Sequence, residues 1–376
     1  MRIGLNLLPV HPGIGGAWNY LQALIPALAE HDSTNEYVLF VTSQSAELVP
    51  PQNNFRSITL SLPPTQRAVR VLYENTLFRR IVQRAQLDCL HHVFGTLPFA
   101  GDVPSAVTIF DLMELDRPDE IAFFKRNYLN VMRRRASIHA DVLMPMSNST
   151  AEHLHRRLHV PWERMIVVPA SMERRFAPQP AHAVEQFRER LGLPPAFWLA
   201  VADHYPHKNY ERLIIAVAQL EKDRPQRWPL AIRAEPSREV SALIEKHGLE
   251  RRVTFVPRLL AREMPLLYGA ASALVFPSLF EGGGLPVMEA MACGCPVVAS
   301  SIPTTHEFAA EAAITFDPMD VDAIAAAMRR CEDDSDLRAR QIEKGLDAVS
   351  TLRPATVAAA CMKGYEMAVS RSARAG

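Results

Sequence analysis

Two glutamates, Glu281 and Glu289, bracket a turn built on three consecutive glycines, Gly282, Gly283 and Gly284. An apolar run over 273–276 and a Pro277-Ser278 pair precede the turn, and Leu285-Pro286 opens a helix-forming stretch after it. Such a unit offers bare backbone N–H groups and a helix N-terminus to an anion. Its carboxylates are left to accept hydrogen bonds from hydroxyls. Phosphate together with hydroxyls is the chemistry of a nucleotide sugar. Two other readings stay open on spacing alone: unrelated surface carboxylates, or an acid pair for glycoside hydrolysis. Both acids lie in one strand–loop–helix unit beside an anion loop, which suits nucleotide binding better than cleavage by water.

A second loop carries a cation. Tyr205-Pro206-His207-Lys208-Asn209 follows an apolar run over 198–202, so Lys208 sits at the carboxyl end of a strand, where ligands bind in doubly wound sheets. A cation there neutralises a diphosphate leaving group; the plainer reading is a solvated loop lysine. Gly15-Gly16 follows the first apolar run, 3–8, and opens a helical pattern with Trp18, Leu21, Leu24, Ile25 and Leu28 on one face. It reads either as a phosphate loop or simply as a turn. Trp18 reads as core or pocket wall.

These loops need a scaffold. Apolar runs at 3–8, 37–42, 57–60, 87–91, 106–110, 142–146 and 166–168 alternate with helical patterns, notably 67–84, 120–136 and 148–158. Pro26 removes one hydrogen bond from the first helix. The rhythm stops at 170–197, a stretch rich in Pro and charge with one surface helix at 182–191. It restarts at 198–202 and continues through 230–233, 253–256, 273–276, 296–299 and 313–316, with helices at 210–221, 238–246, 262–268, 286–293, 321–331 and 336–350. A last helical pattern, 354–369, has no strand after it. Strands alternating with helices predict α/β domains with parallel sheets covered on both faces. The expected division is 1–172 plus a crossing-back helix over about 354–376, and 173–353, with the ligand cleft between two doubly wound halves.

Composition narrows the function classes. The 376 residues hold 41 Lys+Arg against 41 Asp+Glu, which removes a global electrostatic case for nucleic acid. The five cysteines (Cys89, Cys293, Cys295, Cys331, Cys361) lack paired metal spacing and fit a reducing cytoplasm. No apolar run reaches membrane-spanning length. The start of the chain reads as a first strand rather than a signal peptide.

The segment 276–300, FPSLFEGGGLPVMEAMACGCPVVAS, resembles the donor-site signature of family 4 glycosyltransferases of the GT-B fold, with Glu281 and Glu289 meeting its Glu-x7-Glu pattern. The 202–209 loop is similar to the G-N-x-x-P-H-K-N loop of a mannosyltransferase-like branch. Asp88 to His91 with Leu97-Pro98, the 141–148 strand, Val167-Val168-Pro169 and the 312–320 stretch resemble further family segments. The resemblance implies a GT-B architecture, two Rossmann-like domains facing a central cleft. It also implies a nucleotide-sugar site of Gly15, Gly16, Asp203, Lys208, Asn209, Glu281, Gly282, Gly283, Gly284, Leu285 and Glu289. Within it Glu289 holds the ribose, Glu281 and the glycine backbone hold the sugar and distal phosphate, Lys208 stabilises the departing diphosphate, and Gly15-Gly16 lets the N-terminal domain approach it. Lys208 and Glu281 are the catalytic candidates. Acceptor-side candidates are His91, Phe110 and Asp111, with a packed histidine the alternative for His91. No metal and no cofactor are expected; the donor is a GDP-, UDP- or dTDP-linked sugar.

The implied activity is retaining transfer of a hexose or deoxyhexose to a hydroxyl of a saccharide or lipid-linked saccharide in polysaccharide biosynthesis, in the cytoplasm or at the inner face of the membrane. The alternative is a degenerate GT-B protein that binds a sugar nucleotide or partner without turnover. Phe110 occupies the position of the family's donor-sugar histidine and cannot donate to a hydroxyl. Asp203 replaces an arginine common five residues before the lysine, and Arg233, at the end of the next strand, is the candidate substitute cation. The basic stretch 125–135, with Phe123, Phe124 and Tyr128, reads as a peripheral membrane contact or as an ordinary amphipathic helix.

Overall fold

The computed structural model describes residues 1–12, 15–62, 66–98, 103–201, 203, 205–223 and 228–375. The chain forms two compact units, Met1–Ser171 with Leu352–Gly376, and Met172–Thr351. Each is built on a six-stranded, all-parallel sheet. Ala202 and His204 of the lysine loop lie outside the described residues.

In the first unit the elements run β1 (Arg2–Asn6), α1 (Gly16–His31), β2 (Glu36–Val41), β3 (Phe55–Thr59), α2 (Arg67–Glu74), α3 (Phe78–Ala85), β4 (Cys89–His92), β5 (Ser105–Ile109), α4 (Met113–Asp116), α5 (Phe123–His139), β6 (Val142–Pro145) and α6 (Asn148–Leu158). The second unit holds α7 (Ala181–Arg190), β7 (Trp198–Val201), α8 (Tyr210–Asp223), β8 (Leu230–Arg233), α9 (Arg238–Lys246), β9 (Val253–Val256), α10 (Met264–Ala270), β10 (Ala273–Phe276), α11 (Leu285–Ala292), β11 (Val297–Ser300), α12 (Pro303–Ala309), β12 (Ala313–Phe316), α13 (Val321–Asp333) and α14 (Ser335–Val349). The last helix, α15 (Pro354–Ala375), packs in the first unit against α1 and β4–β6. Gly364 permits that approach, because a Cβ there would lie 2.2 Å from Met144 Cε and 3.1 Å from Ile166 Cγ2.

Strand order is β3-β2-β1-β4-β5-β6 in the first sheet and β12-β11-β10-β7-β8-β9 in the second. The two orders are one topology written twice, 3-2-1-4-5-6, and each reverses direction once. The reversal falls between β1 and β4 in one unit and between β7 and β10 in the other, and crevices at the carboxyl ends of such strand pairs are where this architecture binds ligands. Parallel strands covered on both faces must be apolar throughout. Accordingly β5, β6, β7, β10 and β11 are buried along their whole length.

Two sequence expectations change. The helical pattern over 67–84 is two helices, because Asn75 Nδ2 donates to Val71 O (2.7 Å) and Thr76 Oγ1 donates to Leu72 O (2.7 Å). Side chains that bond nearby carbonyls compete with the helix ladder and end α2. The 166–168 run is not a seventh strand. Ile166 N–H and Val168 N–H donate to Leu143 O and Pro145 O, but Pro145 has no N–H to return and the ladder stays incomplete. Pro26 lies inside α1 without ending it.

Candidate functional site

The second unit's switch point assembles most of the donor-side candidates. β7 and β10 are paired neighbours, so the loops leaving them lie side by side. The first contains a short 3₁₀ turn, Pro206–Lys208, and closes on Asn209 in the left-handed conformation (φ 59°), which asparagine tolerates better than most residues. Asn209 is buried, and its Nδ2 donates to Pro277 O at 3.0 Å and Pro318 O at 2.8 Å. The Leu279 N–H donates to His207 O at 2.7 Å. These bonds lash the lysine loop to the glutamate loop.

The result is an ion pair: Lys208 Nζ donates to Glu281 Oε1 at 2.6 Å, with both side chains largely covered. The ammonium also lies 5.8 Å from the centroid of the Phe276 ring. Thr304 Oγ1 donates to Glu281 O at 2.6 Å and fixes the start of the turn. Gly284 then takes φ 59° as the N-cap of α11, a conformation that costs any residue with a Cβ. Gly283 is buried, and Gly282 and Leu285 are half-buried. Asp203 is exposed, and its carbonyl accepts from the Tyr205 N–H at 2.9 Å.

Glu289 stands one turn into α11 and is buried. Its Oε2 accepts from the hydroxyl of the fully buried Tyr268 at 2.7 Å. Burial is the main reason its carboxyl is pushed up to about 7; Glu173 adds to the rise, while Tyr268, Arg175 and Arg233 oppose it. Glu173 is itself raised by burial and held partly in check by Arg175, whose Nη2 donates to it at 2.5 Å. Arg233 ends β8, and its Nε is buried without a hydrogen-bond partner among the described residues. The site therefore has two regions. One is a loop-borne ion pair beside a glycine turn, and the other is a buried carboxylate ringed by Tyr268, Glu173, Arg175 and Arg233. Among the described residues no group of three or more His, Cys, Asp or Glu gathers to hold a metal. All five cysteines are buried and unpaired.

The first unit's candidates separate. Gly15 (φ 70°) is the exposed N-cap of α1, and Gly16 is that helix's first residue. Trp18 is buried in the same helix. His91 is fully buried inside β4. Its Nδ1 meets the Tyr365 hydroxyl at 2.9 Å and its Nε2 meets Thr108 Oγ1 at 2.7 Å. With both nitrogens engaged in the core it has none left for a saccharide, and the packed alternative fits. Phe110 packs edge-on to Tyr20, centroids 5.2 Å apart, and 6.3 Å from Phe94. Asp111 Oδ1 accepts from the Met113 N–H at 3.0 Å and so caps the turn into α4. Sequence reading missed Tyr268, Glu173 and Arg175. The first sat in an ordinary helical pattern and the other two in the Pro-rich connection.

Two parallel six-stranded sheets of this order, with a loop site at the switch point of the second, have the architecture of the GT-B class of glycosyltransferase folds. The family model for group 1 glycosyl transferases matches residues 184–347, and that for glycosyltransferase family 4 matches residues 14–172. The chain belongs to the GT-B glycosyltransferases of this family. O-antigen chain mannosyltransferase B of Escherichia coli is 26% identical over 234 residues, covering 61% of this chain and 60% of that protein. The chain thus spans under two thirds of that relative's length. Sucrose-phosphate synthase from Thermosynechococcus elongatus superposes with a TM-score of 0.80 at 20% identity, over 97% of this chain and 98% of that one. HepE of Anabaena, solved in complex with UDP-glucose, superposes with a TM-score of 0.74 at 19% identity, over 96% and 98%.

Proposed function

We propose that the chain transfers a hexosyl group, mannosyl by analogy with its mannosyltransferase relative, from a nucleoside diphosphate sugar to a hydroxyl of a saccharide acceptor, with retention at the anomeric carbon and without a metal. The observation that carries this reading is the Lys208–Glu281 ion pair, held beside Gly282–Gly284 at the switch point of the second sheet. The diphosphate displaces Glu281 from Lys208, and the ammonium neutralises the charge that grows on the leaving oxygen. Glu281, released from the lysine, accepts from hydroxyls of the donor sugar. The glycine backbone and the α11 N-terminus meet the distal phosphate. Glu289 accepts from the ribose hydroxyls. No side chain of the site forms a covalent bond in this scheme; the protein supplies position and charge.

A structure of a relative bound to UDP-glucose supports a nucleotide-sugar donor. No helix among the described residues is long and apolar enough to cross a membrane. The reading places the protein in the cytoplasm, touching the inner face of a membrane through α5. The test is a thermal-shift screen with UDP, GDP, dTDP and ADP, followed by nucleotide release with mannose-terminated acceptors in excess chelator. A raised melting temperature with one nucleotide, release only with acceptor, and an α-linked product by NMR are expected. Binding without release across a broad donor and acceptor panel would leave a binding protein instead.

A further inference from the structure

The leaving group of the proposed reaction carries more charge than Lys208 alone can meet. The terminal phosphate of a departing nucleoside diphosphate bears about −1.5 to −2 at neutral pH. Lys208 brings a single positive charge, and Glu281 already occupies it. Five residues before the lysine stands Asp203, an acid. Transfer without a metal therefore calls for a second cation at the diphosphate.

Arg233 stands at the right edge of the sheet. It is the last residue of β8 and the register partner of Val201, the last residue of β7. Adjacent strands lie about 4.8 Å apart, so Arg233 starts one strand spacing from the point where the lysine loop leaves β7. On the other side of β7 lies β10, whose loop carries Glu281. The lysine loop thus emerges between the arginine and the glutamate turn.

The other cations here are engaged. Lys208 Nζ donates to Glu281 Oε1 at 2.6 Å, Arg175 Nη2 to Glu173 Oε1 at 2.5 Å and Arg212 Nη1 to Asn209 Oδ1 at 3.0 Å. Arg233 is only half-buried, yet its Nε is covered and has no hydrogen-bond partner among the described residues. A covered donor of that kind is costly unless a ligand supplies the acceptor. Its charge is also felt at Glu289, which it favours in the ionised form. The part of a nucleotide sugar that joins a ribose on Glu289 to a leaving oxygen at Lys208 is the diphosphate.

We propose that Arg233 clamps the donor diphosphate together with Lys208, its forked guanidinium bridging the two phosphates, in place of the cation that Asp203 does not supply. As the bond from the anomeric carbon to the terminal phosphate oxygen breaks, its electron pair stays on that oxygen between the two cations. The acceptor oxygen bonds to the anomeric carbon, and its proton passes to the departing diphosphate. This assignment rests on the transferase reading, and its test separates the two.

Calorimetry on the full chain with UMP, UDP, GMP and GDP reads what the second phosphate adds and what the base adds. In Arg233→Gln the advantage of diphosphate over monophosphate should shrink about tenfold or more, with the preference between the bases unchanged. Turnover should fall about 100-fold, and Asp203→Arg in that background should restore at least a tenth of the wild-type rate. An unchanged diphosphate advantage in folded Arg233→Gln, or a lost base preference in its place, overturns the proposal. Should Arg233→Gln fail to fold, Arg233→Lys decides, because lysine lacks the fork that spans two phosphates. A smaller diphosphate advantage in that variant supports the clamp, and an unchanged one overturns it. A wild type that binds none of the four nucleotides sinks the transferase reading and this assignment with it.

Discussion

Glu289 is where stability and function pull apart. Its folded-state pKa of about 7 lies above the ordinary carboxyl value, so the native state holds a proton that the unfolded chain has already released. Stability from this group is complete below the unfolded pKa and falls as pH rises toward 7. The shift corresponds to roughly 3 kcal/mol lost above that point. Glu289→Gln is expected to flatten the decline in melting temperature between pH 5 and pH 8, leaving the variant more stable than wild type at pH 8. The same change should weaken nucleotide binding about tenfold or more; a variant with unchanged affinity would remove the ribose role. In the wild type, nucleotide affinity should rise with pH through about 7, because the ionised carboxylate is the better acceptor for ribose hydroxyls.

Tyr268 acts through Glu289. Tyr268→Phe deletes a hydrogen bond to a group that ionises, worth about 1.5–3 kcal/mol, and pushes the carboxyl still higher. The pH midpoint for nucleotide binding should therefore move upward in Tyr268→Phe while kcat at saturating donor stays close to wild type. A purely structural tyrosine would lower stability without moving that midpoint. Lys208→Ala is a different kind of change, since it removes the cation proposed to face the leaving group. Turnover should fall about 100-fold or more, with the melting temperature nearly unaltered because the ion pair sits in loops.

Among the elements, the glycine turn into α11 carries the sharpest geometric demand. Gly284 sits at φ 59° with Thr304 Cγ2 3.6 Å from where a Cβ would stand. There is room for the methyl, so Gly284→Ala pays only for conformation, about 1 kcal/mol. Denaturant titration should show that small loss. Nucleotide affinity should drop further than stability does, if, as proposed, the turn's N–H groups meet the distal phosphate. Equal losses in both would mean the turn is only a turn.

This turn was legible in sequence because its chemistry is local: glycines, a Pro in the first helical turn and two acids within nine positions. The lysine loop was legible for the same reason. The Tyr268–Glu289 bond spans 21 positions and two helices, and a buried Asn6–Glu74–His92 hydrogen-bond cluster in the first unit spans 86. Neither leaves a local pattern, since the topology alone brings those residues together. His91 shows the converse. The sequence placed it at a strand end, but β4 runs one residue further, so His91 faces Tyr365 and Thr108 in the core and His92 takes the edge.

At the scale of the whole molecule, a net charge of zero means that attraction to an anionic surface has to be local. Helix α5 has the required composition. Met132, Arg133, Ala136 and Ser137 are buried against the first unit. Phe124, Val131 and Ile138 recur every seven residues and are exposed, Phe124 at 86%. Arg134 is exposed within that stripe, and Lys125 is exposed beside Phe124. Lys125 also feels the repulsion of Arg67 on α2, which brings a second basic element, with Val69 and Leu72 exposed, to the same neighbourhood. An apolar stripe flanked by cations lies in a headgroup layer rather than across a bilayer. Each Lys or Arg near an anionic surface adds about 1 kcal/mol, screened by salt. The protein should therefore sediment with vesicles containing phosphatidylglycerol and not with pure phosphatidylcholine, and 0.5 M salt should release much of it. Phe123→Ser with Phe124→Ser should cut vesicle binding about tenfold while leaving turnover on a soluble acceptor intact, because both rings are exposed rather than packed in the core of the first unit. Absence of binding at any anionic lipid fraction would make α5 an ordinary amphipathic helix and return the acceptor to solution.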